Sequence, residues 1–248
     1  MTLWDIALLA IFCVVAILYA SVGQAGGTGY IAAMGLIGFA PDVIKPTALA
    51  LNILVAAIGC VRFYRAGVLT WRTCYPFAIL GAPFSLIGGA VNLPSAIYQP
   101  MVGALLLVAA FQMVRSVGGA DDLDARAPSE PPFLLSLLAG GFIGFVSGVT
   151  GVGGGIFLAP LVLTFSWIAT RQSAAVSAMF NLLNSAAAFA GVWATMPALP
   201  RELPLWLCAV GVGGFVGSWL GALRLPPKVM RMILSGLLLV AGARMILR

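Results

Sequence analysis

Two glycine-rich stretches decide the fold: SVGQAGGTGYI at residues 21–31 and SGVTGVGGGIF at residues 147–157. Each interrupts sequence that is otherwise strongly apolar. Irregular backbone is tolerated within a bilayer only where it is buried in protein or lines a cavity, because lipid cannot satisfy its polar groups. Helix-breaking stretches in matching positions of two halves of a chain are typical of a transporter's substrate site.

The composition predicts an all-α fold, that of a polytopic helical membrane protein. Of the 248 residues, 62% are apolar and 8% are charged, whereas a soluble domain carries about 25% charged residues. Apolar runs fall at about 4–20, 28–40, 46–61, 73–92, 96–114, 133–149, 152–168, 173–196, 203–223 and 228–247. We expect about eight to ten membrane segments. The run at 28–40 is too short to cross the bilayer alone as a helix.

The second half of the chain repeats the first, with matches of Gly, Ser and Asn in the same order. The matching pairs are Ser21 with Ser147, Ala25 with Gly151, Gly27 with Gly153 and Gly29 with Gly155, each 126 residues apart, and Asn52 with Asn181, 129 apart. Ordered matches of this kind indicate an internal duplication. We predict a first membrane repeat at 1–115, a polar linker at 116–132 and a second membrane repeat at 133–248.

The basic residues favour an inverted arrangement of these two repeats. If each half crosses the bilayer an odd number of times, nine basic residues lie on one face of the membrane and four on the other. If each half crosses an even number of times, the division is eight and five, which is a weaker charge bias. By the positive-inside rule, the face with nine is cytoplasmic and both termini lie outside. The nine are Arg62, Arg65, Arg72, Arg115, Arg126, Arg171, Arg224, Lys228 and Arg231, and the four are Lys45, Arg201, Arg244 and Arg248.

The residue types that are absent or rare exclude several functions. The chain has no His, and its seven acidic residues lie at segment ends or in loops, so the usual zinc ligands, catalytic bases and intramembrane proton relays are missing. We therefore expect no metal, no cofactor and no enzymatic activity. The net charge of +6 is explained by basic loops, and because no basic face with interleaved aromatic residues occurs, nucleic acid is not an expected partner.

The glycine-rich stretches predict a site for a small anion. Broken helices expose backbone N–H groups, and the N-terminus of a helix carries a partial positive charge. The candidate substrate-binding residues are Gly26, Gly27, Gly29, Gly153, Gly154 and Gly155 through their backbone, and Ser21, Gln24, Asn52, Thr150 and Asn181 through their side chains. The alternative is structural: glycines allow close helix packing, and intramembrane asparagines form interhelical hydrogen bonds.

Two further basic residues, Lys45 and Arg171, correspond 126 residues apart. Either they anchor the helices at the lipid headgroups, or they attract an anion at the mouth of each half. Arg62 and Arg65 are interpreted as loop residues.

Three stretches carry a resemblance to a known family. GVGGGIFLAPLVL at 151–163, SVGQAGGTGYIAAM at 21–34 and PTALALNILVAAIGCVRFYRAG at 46–67 resemble the sulfite exporter TauE/SafE family of membrane permeases, and the two-half arrangement extends the likeness over essentially the whole chain. The first half departs from the pattern, with AGGTG in place of a full GGG run and Met34 where the second half has Pro160.

The resemblance implies a multi-pass secondary transporter in the bacterial inner membrane. Its expected partners are the lipid bilayer and a small anionic substrate, either sulfur-containing, such as sulfite or a sulfonate, or organic, which family members typically export. A passive channel for a small neutral solute is the alternative, and self-association into a homo-oligomer is left open.

Overall fold

The computed structural model describes residues 3–21, 23–118, 131–193, 199–222 and 227–247. Every regular element in these residues is a helix, which confirms the all-α prediction. The ten helices are α1 (Leu3–Ser21), α2 (Gly27–Ile37), α3 (Pro41–Arg65), α4 (Trp71–Ala90), α5 (Ser95–Gly118), α6 (Phe133–Thr150), α7 (Gly155–Thr164), α8 (Thr170–Trp193), α9 (Leu203–Ala222) and α10 (Pro227–Ile246). Most of the predicted linker, together with Arg126, Arg224 and Arg248, lies outside the described residues.

Six helices among the described residues are long and apolar enough to cross a bilayer: α3, α4, α5, α6, α8 and α9. The apolar parts described for α1 and α10, Ala7–Ser21 and Met232–Ile246, are shorter. Helices α2 and α7 have 11 and 10 residues, about half of what a membrane crossing requires. Each short helix follows one of the glycine-rich stretches, as the short run at 28–40 predicts for α2.

Glycines with positive φ angles separate each short helix from the helix before it. In the first break, Gly23 and Gly26 have φ angles of 79° and 96°; in the second, Gly151, Gly153 and Gly154 have φ angles of 83°, 91° and 77°. Only glycine adopts this backbone region without a steric penalty, so these residues end α1 and α6 and start α2 and α7.

The backbone favours a different alignment of the two breaks from the spacing of 126 that we predict. Gly23 and Gly26 correspond in conformation to Gly151 and Gly154, and each pair is 128 residues apart. The N-terminal caps of α2 and α7 are Gly26 and Gly154. At the breaks, Gly27 therefore matches Gly155 in the backbone, and not Gly153.

Helices from the two halves of the chain are interleaved. Helix α4 packs on α6 and α8, and in the same way α9 packs on α1 and α3; helix α3 packs on α8, and α5 on α10. If α1–α5 correspond in order to α6–α10, each of these contacts recurs with the halves exchanged. A duplication predicts this pattern, whereas the residue boundaries of the two repeats stay a prediction.

Close approaches at glycine give the relative directions of α1, α4, α6 and α9. Gly140, Gly144 and Gly148 of α6 lie in turn against the backbone of Phe77, Gly81 and Ser85 of α4, and Gly213 and Gly217 of α9 lie against Cys13 and Ile17 of α1. Both pairs of helices therefore run parallel. Small residues of this kind let membrane helices approach until their backbones touch.

Helices α3 and α8, by contrast, run antiparallel. Asn52 of α3 contacts Ser185 of α8, whereas Cys60, two turns further along α3, contacts Met179, which lies earlier in α8. Other glycine contacts make α9 parallel to α3, and α4 parallel to α8. If α1–α5 correspond in order to α6–α10, then α1 and α6, α3 and α8, and α4 and α9 point in opposite directions. Inverted repeats would have this arrangement, and the repeats themselves stay a prediction.

An aromatic cluster holds the first short helix in place. The Phe12 ring of α1 meets Tyr30 of α2 edge to face at 5.6 Å and Trp206 of α9 at 5.4 Å between ring centroids. All three side chains are at most 2% exposed. Buried aromatic pairs in this geometry contribute about 0.5–1.5 kcal/mol beyond the area they bury, so the position of α2 is well defined.

Candidate functional site

Two asparagines from α3 and α8 form a hydrogen-bonded pair in the interior. The Asn52 amide nitrogen donates to Asn181 Oδ1 at 3.1 Å and to Ser185 Oγ at 2.7 Å, and the Asn181 amide nitrogen donates back to Asn52 Oδ1 at 3.3 Å. Asn52 and Ser185 are fully buried and Asn181 is 5% exposed. A buried amide is costly unless it is paired, and here each asparagine supplies the other's partner.

Both glycine-rich breaks meet at this asparagine pair. The backbone N–H of Gly27, the first residue of α2, donates to Asn52 Oδ1 at 3.0 Å. A methyl group added at Gly27 would overlap the Val152 carbonyl in the second break, and one at Gly153 would overlap both asparagine amides. The two breaks and the two amides therefore form one closed polar layer, which we call the asparagine layer.

A cavity of about 300 Å³ lies at the C-terminal end of α3. Its described lining comprises Ala20, Ser21, Gly23, Gln24, Ala25, Val55, Ala56, Gly59, Arg62, Phe63, Ala66, Ala178, Gly214 and Ser218. Arg62 is the one charged residue in this set, and we call the space the arginine cavity. Gln24 Oε1 is buried at its wall without a hydrogen-bond partner among the described residues.

A second cavity of about 300 Å³ lies at the N-terminal end of α3. Its described lining comprises Pro41, Asp42, Lys45, Pro46, Val91, Asn92, Leu93, Tyr98, Val149 and Val192, and we call it the lysine cavity. Helix α3 has 25 residues and is long enough to cross the hydrocarbon core at about 1.5 Å per residue. The two cavities thus lie at opposite ends of a membrane-spanning helix, with Asn52 between them.

Lys45 caps a helix and is neither a headgroup anchor nor a freely exposed cation. Its Nζ donates to the carbonyl oxygens of Gly88, Gly89 and Val91 at 3.1, 2.7 and 2.9 Å, and the residue is 5% exposed. These carbonyls lie at the C-terminal end of α4, where backbone donors run out and the helix dipole is negative; the Gly88 carbonyl also accepts the N–H of Val91, the C-terminal cap, at 3.2 Å. The side chain of Arg171, its predicted counterpart, lies outside the described residues.

A much smaller pocket, about 10 Å³ and so the size of one water molecule, lies between the first break and α8. We call it the break pocket. Its described lining comprises Tyr19, Gly23, Gln24, Ala25, Gly26, Gly27, Thr28, Val152, Gly155, Ile156, Ser177, Ala178 and Asn181. The Tyr19 and Thr28 hydroxyls bond each other at 2.7 Å, whereas Ser177 Oγ has no partner among the described residues. Gly23, Gln24, Ala25 and Ala178 also line the arginine cavity, so the two spaces adjoin.

The structure brings most of the candidate residues to these neighbouring spaces. Five of them, Gln24, Gly26, Gly27, Gly155 and Asn181, line the break pocket. Ser21 joins Gln24 at the wall of the arginine cavity. Asn52 and Gly153 lie in the asparagine layer, directly behind the pocket.

Three candidates are occupied by packing or by their own helix. Gly29 lies against Val15 and Tyr19 of α1, and Gly154 lies against Phe180, Ile143 and Ser147. The Thr150 hydroxyl donates to the Val146 carbonyl one turn earlier, at 2.7 Å, and accepts the N–H of Val152 in the second break at 3.4 Å. None of the three lines a described cavity.

Four polar side chains at the candidate site are not among the residues that the sequence predicts: Tyr19, Thr28, Ser177 and Ser185. Ser177 and Ser185 precede and follow Asn181 by four residues, and this spacing puts them on one face of α8. A polar stripe on an apolar helix was the signal that could have found them. The interpretation of Arg62 and Arg65 as loop residues is wrong, because α3 continues to Arg65; Arg62 lines the arginine cavity. The described residues contain no cluster of three or more His, Cys, Asp or Glu side chains that could hold a metal ion.

Comparison with known proteins adds an independent result. The sequence model of the sulfite exporter TauE/SafE family matches residues 8–245. The chain is 50% identical over 241 residues to "Probable membrane transporter protein y4hK" of Sinorhizobium fredii, covering 97% of this chain and 98% of that protein. It is 29% identical over 143 residues to "Probable membrane transporter protein MJ0441" of Methanocaldococcus jannaschii, covering 55% and 52%. No solved structure matches the chain.

Proposed function

The chain belongs to the sulfite exporter TauE/SafE family, and on this premise we propose that it exports small sulfur-containing or organic anions, such as sulfite or sulfonates, across the bacterial inner membrane. That it is a multi-pass membrane transporter follows from the family, the relative of 50% identity and the six apolar helices. The substrate class, the direction and the position of the site are the proposed parts.

The observation that carries the proposal is the pair of cavities on either side of the asparagine layer. An alternating-access transporter opens a central site to one face at a time, so it needs a path from each face to that site and a barrier that can close. The arginine cavity and the lysine cavity lie at the two ends of α3, and the Asn52–Asn181 pair closes the middle. We infer that α3 and α8 move against each other during transport, because the amide bonds between them must open to let a substrate through.

The charges around the arginine cavity favour an anion. Its described lining has one cation and no acid, and a low-dielectric cleft concentrates the field of such a charge. The N-terminus of α2 lines the break pocket that adjoins this cavity, and its aligned peptide dipoles add a partial positive charge there. Arg62, Arg65 and Arg72 lie close together around the α3–α4 connection, so the positive-inside rule assigns this end to the cytoplasm. A cytoplasmic cavity that attracts anions suits export.

The experiment is anion counterflow in proteoliposomes that contain the purified protein. Vesicles loaded with unlabelled sulfite should take up labelled sulfite faster than unloaded vesicles, with saturation as the external concentration rises. A flux that is linear in concentration and insensitive to internal anion would contradict a transporter and favour the passive channel. Absence of flux for sulfite, thiosulfate, sulfonates and small carboxylates would overturn the substrate class.

The site is tested with two variants of α3. Asn52→Leu removes the amide that joins both breaks, and we expect it to abolish counterflow. Thr47→Val is a matched control, because Thr47 is equally buried on the same helix and its hydroxyl has no partner among the described residues. Equal flux in both variants, at equal amounts of folded protein, would contradict a site at the asparagine layer.

A further inference from the structure

We propose that the break pocket binds a singly charged oxyanion and that the Ser177 hydroxyl is one of its ligands. This inference rests on the proposed function and specifies the form of the substrate. The pocket is built by both halves of the chain: the first break and α2 supply one wall, and Ser177 and Asn181 of α8 supply the other.

The N-terminus of α2 supplies hydrogen-bond donors to this pocket. The first turn of a helix leaves its N–H groups without intrahelical partners. In α2, an 11-residue helix, the N–H of Gly27 donates to Asn52, and Thr28, the next residue of this first turn, also lines the pocket. The partial positive charge of the helix end acts at the same place.

Unpaired side chains give an independent indication of a ligand. Ser177 is 2% exposed, lines the pocket, and its Oγ has no hydrogen-bond partner among the described residues. Gln24 Oε1 is also buried and unpartnered at this wall. Among the described residues, Ser177 and Gln24 are the two with such atoms that line this pocket. A bound group that accepts from Ser177 Oγ and donates to Gln24 Oε1 would give both atoms the partner that buried polar atoms normally have.

The described lining of the break pocket contains no charged side chain, and this favours a ligand with a single charge. Arg62 lines only the adjoining cavity. The desolvation cost of an ion grows with the square of its charge, whereas its attraction to neutral donors and a helix end grows linearly. A monoanion is therefore favoured over a dianion, and an acceptor such as Gln24 Oε1 suits one that carries a proton, such as hydrogensulfite.

The pocket must widen to hold such an ion, because its present volume admits about one water molecule. It adjoins the arginine cavity through Gly23, Gln24 and Ala25, which line both spaces. In this proposal the arginine cavity attracts the anion, and the break pocket binds it.

Two serines of α8 allow a matched test. Ser173→Ala is the control for Ser177→Ala, because Ser173 lies one turn earlier, is 1% exposed and also has an unpartnered hydroxyl, but lines no described cavity. With methanesulfonate, a permanent monoanion, we expect Ser177→Ala to raise KM about tenfold, as for loss of one charge-assisted hydrogen bond. Ser173→Ala should keep the wild-type KM; equal values for the two variants would overturn the role of Ser177.

The charge preference is tested by varying the anion and the pH. Sulfite transport should fall as the pH rises through its second ionisation, whereas methanesulfonate transport should stay constant. Sulfate should compete weakly with both. Sulfite transport that rises with pH, or sulfate that competes as well as methanesulfonate, would overturn the monoanion assignment and leave the proposed function standing. If none of these anions is transported, both the monoanion assignment and the proposed function are refuted.

Discussion

Replacing Gly153 by Ala tests whether the second break and the asparagine pair form one unit. Gly153 has a φ angle of 91°, and a Cβ there would overlap Asn181 Oδ1 and Asn52 Nδ2. The positive φ alone costs a non-glycine residue about 1–2 kcal/mol. Displacing the amides leaves buried polar groups unpaired, which costs a further ~1–3 kcal/mol.

Gly67→Ala is the matched control. Gly67 also has a positive φ angle, 67°, but it lies exposed after α3, and a Cβ there meets no atom within 4 Å. In this variant the free energy of unfolding should fall by about 1–2 kcal/mol, which is the cost of the positive φ angle alone. The difference between the two variants therefore measures the overlap with the amides.

Thermal unfolding of the purified protein in detergent measures this difference. At 2–4 °C for each kcal/mol in a chain of this size, Gly153→Ala should unfold about 6 °C below Gly67→Ala. Anion counterflow should be lost in Gly153→Ala and kept in Gly67→Ala. Equal unfolding temperatures would refute the reasoning, since the amides would then have room to accept a side chain.

Three further predictions concern the arginine cavity, the lysine cap and helix packing. Arg62→Gln should lower kcat/KM for anions about fivefold at low ionic strength, and added salt should reduce this effect by screening the charge. Arg65→Gln is the control: Arg65 is exposed at the same end of α3, and its replacement should leave anion flux unchanged. An equal loss of kcat/KM in the two variants would contradict steering of the anion by the cavity. Lys45→Met should destabilise the fold by about 2–3 kcal/mol, because the buried carbonyls of Gly89 and Val91 lose their donor. An unchanged unfolding temperature would refute the cap. Gly140→Ala should lower the free energy of unfolding by about 1–3 kcal/mol, because its Cβ forces α4 and α6 apart. Gly236→Ala is the control, since a Cβ there meets open space, and it should be neutral or slightly stabilising. Equal unfolding temperatures for the two variants would argue against backbone contact between α4 and α6.

The sequence located the breaks and the two asparagines because their chemistry is conspicuous in an apolar chain. Glycine runs and amides are costly in a membrane helix unless the fold uses them, so the sequence predicts Asn52 and Asn181 beside the breaks, where the structure has them. The short helix α2 follows from the length of its apolar run. The family resemblance is confirmed over residues 8–245.

The alignment of the two breaks could not be derived from residue identity. Several glycines in a row can be matched at more than one spacing, and only the φ angles distinguish them; these pair Gly26 with Gly154 and not Gly27 with Gly153. The function of Lys45 depends on where α4 ends in space, and that end is 43 or more residues away along the chain.

The sequence does not identify the single serines of the site, because a lone hydroxyl in an apolar helix usually bonds its own backbone and has no functional role. Ser177 becomes informative only once the structure shows that it lines the break pocket without a partner. Conversely, Thr150 is adjacent to the second break, but its hydroxyl donates to the preceding turn of α6 and accepts the Val152 N–H, so its hydrogen bonds are local, as those of threonines in helices commonly are.

The central claim is that two cavities open to opposite membrane faces on either side of the asparagine layer. Sided labelling in oriented vesicles tests it with single cysteines, Ser218→Cys in the arginine cavity and Asn92→Cys in the lysine cavity, each introduced after replacement of the four native cysteines. A membrane-impermeant thiol reagent should label Ser218→Cys only from the arginine-rich face and Asn92→Cys only from the other face. Labelling of both positions from the same side would contradict the account.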